Sequence, residues 1–349
     1  MRTFALSLAL LLSVLVLAPR AQQGAPAFTK NPLAQRISHT NPANFRPSPA
    51  VHNGPGQLDY MALFGGASLD TNLWFLHRGV IEPKSGIGGH FHNYCEEMFV
   101  IFDGEAQYTI DGRTSTLKGP AGAPTRMGHW HAIYNATDKP VEWMNINVAL
   151  YKNQYDAFNL NDGRVGAPID PVPQFMTMQL DRARLQPQTI PGTKGDVKYR
   201  RALDPTVFLS QWGYVDHYLL APGAATAPST DKEIGGFYYV MAGKGKVTIG
   251  AETADIAKGD AVPILLNDTK SFENTGTEPL ELMSVGIVSD MSRRNEILMA
   301  AAPARGGGAG GGRGAGRAGA PGAPGAPAGA APAPGAGAPA GGRGAGRGQ

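Results

Sequence analysis

The amino-acid sequence predicts an all-β protein made of two similar antiparallel barrels, and three observations lead there. Short β-prone runs such as LWFLHRGV, EEMFVIF, AQYTIDG and VEWMNINVAL begin at about Thr71, separated by Gly, Asp-Gly and Pro; similar runs resume at VFLSQWGYVDHYLL and end near Val288. Turn-bounded runs of this length are the pattern of an antiparallel sandwich or barrel. The second series repeats the first. With a shift of 139 residues, Pro83 falls on Pro222, Gly104 on Gly243, Thr109-Ile110 on Thr248-Ile249, Pro124 on Pro263, Asn135 on Asn274, Pro140 on Pro279 and Glu142 on Glu281, all without a gap. Such self-similarity points to an internal duplication and hence to one fold used twice. Finally, 42% of the 349 residues are hydrophobic, enough for a sizeable core, and the single cysteine, Cys95, rules out an intrachain disulfide.

Taken in order, residues 1–21 open with Arg2, continue through the apolar FALSLALLLSVLVLA and end in PRA, the pattern of a secretory signal peptide. The apolar run is short for a membrane span, so cleavage after Ala21 and a secreted or periplasmic location are expected. Residues 22–68, rich in Pro, Asn and Ala, read as an arm packed on the first barrel, which takes residues 69–150. Residues 151–204 read as a polar connector and 205–290 as the second barrel. From Pro303 the chain holds only Gly, Ala, Pro and Arg before the final Gln349. Such a segment buries no apolar area, which predicts disorder over 303–349. Its arginines suit contact with an anionic envelope or matrix.

Charge narrows the partners. Seven of the 31 bases are arginines of the two terminal segments, which leaves 24 bases against 28 acids between them. A mildly acidic body lacks the clustered positive charge that meets phosphates, so no nucleic-acid partner is expected.

The chemistry concentrates in one stretch. In GGHFHNYCEEMFVIFDG, His90 and His92 stand two residues apart, Glu97 follows after four more, and Gly104 after a further six. In PTRMGHWHAIYN, Pro124, Gly128, His131 and Asn135 recur at a fixed spacing. These stretches resemble the two sequence motifs of the cupin superfamily, with one departure: Lys84 stands where the first motif opens with Gly. The resemblance implies double-stranded β-helix (jelly-roll) barrels, here a bicupin, and a metal held by His90, His92, Glu97 and His131. The residues agree independently. Alternation along a strand puts His90 and His92 on one face, and neighbouring strands bring Glu97 and His131. Three imidazoles and a carboxylate suit one divalent ion, with Fe or Mn preferred and Ni or Zn as alternatives.

Around these stand further candidates. Glu96 is the rival of Glu97 and a candidate proton acceptor or outward-facing charge. His129 shares parity with His131 and is a second catalytic candidate, against a reading as a hydrogen-bonded histidine at the rim. Asn145 and Asn147 share one strand face, and Tyr94 and Tyr134 are candidates for the barrel mouth; Asn145, Asn147 and Tyr94 are the expected substrate contacts. Cys95 reads as a small side chain near the mouth rather than a redox group. In the second barrel the ligand positions fall on Ser229, Asp231, Gly236 and Lys270. That set predicts no metal, and a barrel kept for packing, for pairing two chains or for shaping the first site.

The expected function is therefore an exported, metal-dependent oxidoreductase of dioxygenase-like type acting on a small phenolic or carboxylic molecule. The alternatives are a metal-dependent isomerase, decarboxylase or lyase, and a non-catalytic binder of small acids or sugars. The fold does not choose among them.

Overall fold

The structure is a computed structural model that describes residues 31–301. The expectations for residues 1–21 and 303–349 lie outside those residues.

Each half of the chain folds into a large and a small antiparallel sheet. The first large sheet has seven strands in the order Met178–Gln179, Ala121–Thr125, Cys95–Ile101, Val141–Ala149, Leu73–Ile81, Gln57–Gly65, Arg46–Pro49. It faces a five-stranded sheet in the order Phe158–Asn159, Ser85–Phe91, His131–Asn135, Glu105–Ile110, Arg113–Lys118. The second half repeats this with a seven-stranded and a four-stranded sheet. The repeat inferred from punctuation is a repeat of strands. Leu73–Ile81 answers to Trp212–Leu220, Glu105–Ile110 to Lys244–Ile249, Ala121–Thr125 to Asp260–Ile264 and Val141–Ala149 to Leu280–Val288, in the same register.

Burial explains which strands alternate. Arg113–Lys118, in a small sheet, alternates Leu117 inward with Thr116 and Lys118 outward. Cys95–Ile101 shows no such alternation, because all seven residues are buried. One face, with Phe99 and Ile101, packs inside the first barrel. The other, with Met98 and Val100, joins Phe64, Met144, Ile146, Val215, Phe237, Tyr239, Met283 and Val285 in one cluster drawn from both large sheets. A strand covered on both faces reads as a continuous apolar run. The two barrels thus share a core, which Phe64 and Phe237 cross with ring centroids 6.2 Å apart and which Arg78 Nε crosses by donating to Tyr239 Oη at 2.8 Å.

The segment expected to be an arm on the first barrel divides between the two. Leu33 and Ile37 are buried in the core of the second barrel, Leu33 N donates to Glu252 Oε2 at 2.6 Å, and Ser38 pairs with Ala261. Gln57–Gly65, also inside that segment, is a full strand of the first barrel paired along Leu73–Ile81. The reason is apolar content: Leu58, Leu63 and Phe64 are each wholly buried. The connector divides in the same way, with Met178–Gln179 pairing on Ala121–Thr125 and Val197–Leu203 pairing on Trp212–Leu220.

Candidate metal centre

His90 sits near the end of Ser85–Phe91, His92 just beyond it, Glu97 on Cys95–Ile101 and His131 at the start of His131–Asn135. Antiparallel register sets His131 directly opposite His90. Phe91, between the two histidines, turns away and stacks on Phe158 at 5.1 Å. Gly89 lets the chain pass beneath Trp130, since a Cβ there would lie 2.3 Å from the indole. All four candidate ligands are at most 3% exposed, and one ligand atom of each lies within 4.8 Å of the others.

The hydrogen bonds show what this arrangement lacks. Nδ1 of His90 faces Gly88 O at 2.8 Å, Nδ1 of His92 faces Asp156 O, and Nδ1 of His131 faces His129 O at 3.4 Å. A carbonyl oxygen only accepts, so each Nδ1 carries its proton, and each imidazole in its neutral form presents a lone pair at Nε2. Those three Nε2 atoms converge on Glu97 Oε2, at 2.5 Å from His92, 3.2 Å from His131 and 3.5 Å from His90. Among the described residues, Nε2 of His90 has no hydrogen-bond partner. Three lone pairs gathered around a carboxylate repel one another unless a cation stands among them. The residues present therefore fit a divalent ion, and backbone carbonyls behind the imidazoles fix ring orientation in the manner of a metal site.

Electrostatics give the same reading. Burial, then the neighbouring His131, lowers the His90 pKa to about 4, and burial likewise lowers that of His131. Burial also opposes charge on His92 and Glu97, yet their contact outweighs it: His92 rises to about 11 while Glu97 falls well below the usual carboxylate range. Without an ion, a proton is held between them. A divalent ion replaces that proton, so binding should release it.

Of the four candidate ligands, Glu97 lines a cavity of about 60 Å³. Its other walls include Leu58, Tyr60, Phe75, His77, Trp143 and Tyr155, with His52 at one side stacked on His90 at 3.8 Å. Asn145 lies in the wall as well and donates through Nδ2 to Glu97 Oε1.

The remaining sequence candidates scatter. Asn147 is fully buried and bonds Cys95 Sγ at 3.4 Å behind the centre, outside the cavity wall. Cys95 is itself buried and lies with His92 and Asp156 in a second, overlapping group of potential ligands. Tyr134 is 8% exposed, within Ile133's strand rather than at the mouth, and Asn135 holds the following turn by donating to Ile81 O, Glu82 O and Lys139 O.

Three expectations are corrected. Glu96 is neither in the site nor solvated: it points to the other barrel and accepts from Leu209 N at 2.8 Å, Ser210 N at 2.9 Å and Ser210 Oγ at 2.5 Å. Strand alternation forces this, since Glu97 faces inward. His129 is on the rim, about half exposed, with Nδ1 2.6 Å from Asp111 Oδ2, because the turn before His131 breaks the alternation that parity assumed. Tyr94 is 47% exposed, packs beside Tyr151 and does not line the cavity.

Sequence reasoning missed His52, Tyr60, Phe75, His77, Trp143 and Tyr155. Trp143 was accessible, since it shares the face of Asn145, and Phe75 and His77 alternate on one strand. Nothing local marked His52 or Tyr155, which come from segments outside both motifs.

In the second barrel different side chains stand at the corresponding positions. Tyr214, at the place of Phe75, lays its ring over Gly286, where a Cβ would be 2.2 Å away. Arg201 covers that ring at 4.1 Å and donates to Asp216 Oδ1 at 2.8 Å. Lys270 reaches Asp231 at 3.4 Å. Among the described residues, every group able to hold an ion lies in the first barrel.

A cupin-domain family profile matches residues 77–147 and 216–286, the same 139-residue offset as the sequence repeat. The chain belongs to the cupin superfamily and is a bicupin. Solved bicupin structures resemble it at low identity. Oxalate decarboxylase from Lactobacillus farciminis, in a formate complex, aligns with 15% identity and a TM-score of 0.53, covering 72% of this chain and 86% of that one. Oxalate decarboxylase from Bacillus subtilis gives 16% and 0.51, covering 72% and 76%. A salicylate 1,2-dioxygenase from Pseudoaminobacter salicylatoxidans, in complex with gentisate, gives 16% and 0.54, covering 68% and 76%. At these identities the likeness establishes the fold. A search of curated proteins returned no match.

Proposed function

We propose that this bicupin is a mononuclear metal-dependent enzyme of dioxygenase-like type, acting on a small carboxylic or phenolic compound. The observation that carries this is the convergence of three imidazole Nε2 atoms on the Glu97 carboxylate, which itself lines an aromatic cavity. A bound Fe or Mn ion would supply Lewis acidity and redox capacity there, with Ni or Zn supplying the former alone. His90, His92, Glu97 and His131 would hold it. Asn145 orients Glu97 by its hydrogen bond, and Tyr60, Phe75 and Trp143 exclude bulk water from the reacting groups.

A second reading, a decarboxylase or other lyase or isomerase that needs no oxygen, draws support from the narrowness of the cavity and from the likeness to oxalate decarboxylases, whose Bacillus subtilis member has Mn(II) centres. Turnover of small acids by the metal-loaded protein, compared under air and under nitrogen, separates the two. Loss of turnover under nitrogen supports the oxygenase, equal rates support the lyase or isomerase, and tight binding without turnover in either gas supports a non-catalytic binder.

Export belongs to the same proposal, with mature protein starting near Gln22, the basic tail touching an anionic envelope or matrix and two chains pairing through the second barrel. N-terminal sequencing of protein from the cell exterior or periplasm tests the first of these; an intact Arg2 segment in a soluble cytoplasmic fraction would overturn it.

A further inference from the structure

Unpaired polar atoms on residues that line the cavity describe what it should hold. Glu97 accepts only, so the Asn145 amide must turn its NH2 toward Glu97 Oε1 and leave its carbonyl oxygen pointing away. That Oδ1 is buried with no partner among the described residues. Two residues earlier on the same strand face, Trp143 Nε1 is also buried without a partner, on a residue only 1% exposed. Both residues line the cavity. A lone donor and a lone acceptor on one wall are expensive to leave unpaired, and a bound molecule with one oxygen acceptor and one hydroxyl donor satisfies both.

Charge and size restrict that molecule further. No Lys or Arg is among the residues lining the cavity, and Glu97 is the one carboxylate. With three neutral imidazoles and Glu97, a divalent ion leaves a net charge of +1, which one negative charge balances and a dianion overshoots. A cavity of about 60 Å³ takes about four to six water-sized positions, enough for two or three carbons with their oxygens.

We infer that the first barrel is built for a small, singly charged hydroxy acid, its hydroxyl donating to Asn145 Oδ1 and one of its oxygens accepting from Trp143 Nε1. This rests on the metal-site reading above and adds the class of ligand. It sets this chain apart from a site for a small diacid, which at neutral pH has no proton to give to Asn145.

The test is calorimetric titration of the Mn-loaded, full-length protein with glycolate, acetate and oxalate, with metal content measured alongside. Glycolate should bind at least tenfold more tightly than either other acid, since acetate lacks the donor and oxalate adds a charge. Trp143→Phe removes the N–H and keeps the ring; it should weaken glycolate about five- to tenfold with metal content unchanged. Acetate or oxalate binding as tightly as glycolate overturns the inference while leaving the metal site standing, and needs no variant. Unchanged glycolate affinity in metal-replete Trp143→Phe overturns it as well. Failure of the wild-type protein to take up metal removes the metal-site reading and this inference with it.

Discussion

At the scale of residues, the four ligands were legible and much of their surroundings was not. Ligand spacing is a local property of strand and turn, so His90, His92, Glu97 and His131 could be picked from the chain alone. Glu97 was separated from Glu96 by its distance to Gly104. Which groups face the ligands across a barrel is a long-range property, and His52 and Tyr155 carried no signal. Two predictions belong here. His131 is the ligand supplied from the second motif, so His131→Ala should lower metal affinity at least tenfold, read by elemental analysis after dialysis against a weak chelator. Equal metal content in both proteins would remove His131 from the site. The second concerns His77, whose buried ring has its pKa lowered from 6.5 to about 4. The folded state then binds fewer protons than the unfolded state between those values. Stability is intact above about pH 6.5 and declines as pH falls toward 4, by up to about 3 kcal/mol from this group. His77→Phe, which keeps the ring stacked on Phe75, should flatten that part of the stability-against-pH curve in denaturant titrations; an unchanged slope would place the proton uptake elsewhere.

At the scale of elements, Cys95–Ile101 ties the site to the rest of the molecule. Its alternation puts Glu97, Phe99 and Ile101 in the first barrel, and Glu96, Met98 and Val100 against the second. The sequence shows only the apolar run Met98–Ile101 after two glutamates, a pattern that suggests both faces are covered without saying by what. Glu96 is the polar end of that contact. Its burial raises the carboxyl pKa, although three hydrogen bonds from Leu209 and Ser210 act in the other direction. Glu96→Ala strands two backbone N–H groups and a hydroxyl between the barrels. It should cost about 2–4 kcal/mol of stability, measured by denaturant unfolding, with metal content preserved because Glu96 touches no ligand. A loss of metal equal to that in His131→Ala would instead return Glu96 to the site.

At the scale of the whole molecule, the duplication was visible in turn residues, while the pairing of the two large sheets was not. Apolar residues on an interdomain face look like any core residue in a single sequence. The second barrel lacks the ligands, Arg201 lies over Tyr214 at the counterpart of Phe75, and yet its large sheet supplies half of the shared core through residues such as Val215, Phe237, Met283 and Val285. Packing against the first barrel is therefore a present role of the second, whatever else it does. One consequence is stoichiometric: the full chain should take up one equivalent of divalent metal, and Asp231→Ala should not change it. The other is cooperative. Separating the barrels would expose the whole shared cluster to water, at about 25 cal/mol per Å² of apolar surface, so neither should persist when the other unfolds. A ligand that binds only the folded state stabilises everything coupled to its site. Metal added to the chelated protein should accordingly raise the unfolding temperature of both barrels together. Labels placed on the strand Arg113–Lys118 of the first barrel and on its counterpart Glu252–Ala257 of the second would report coincident transitions with and without the ion. Two separated transitions, with only the first moved by metal, would show that the shared core does not couple the barrels.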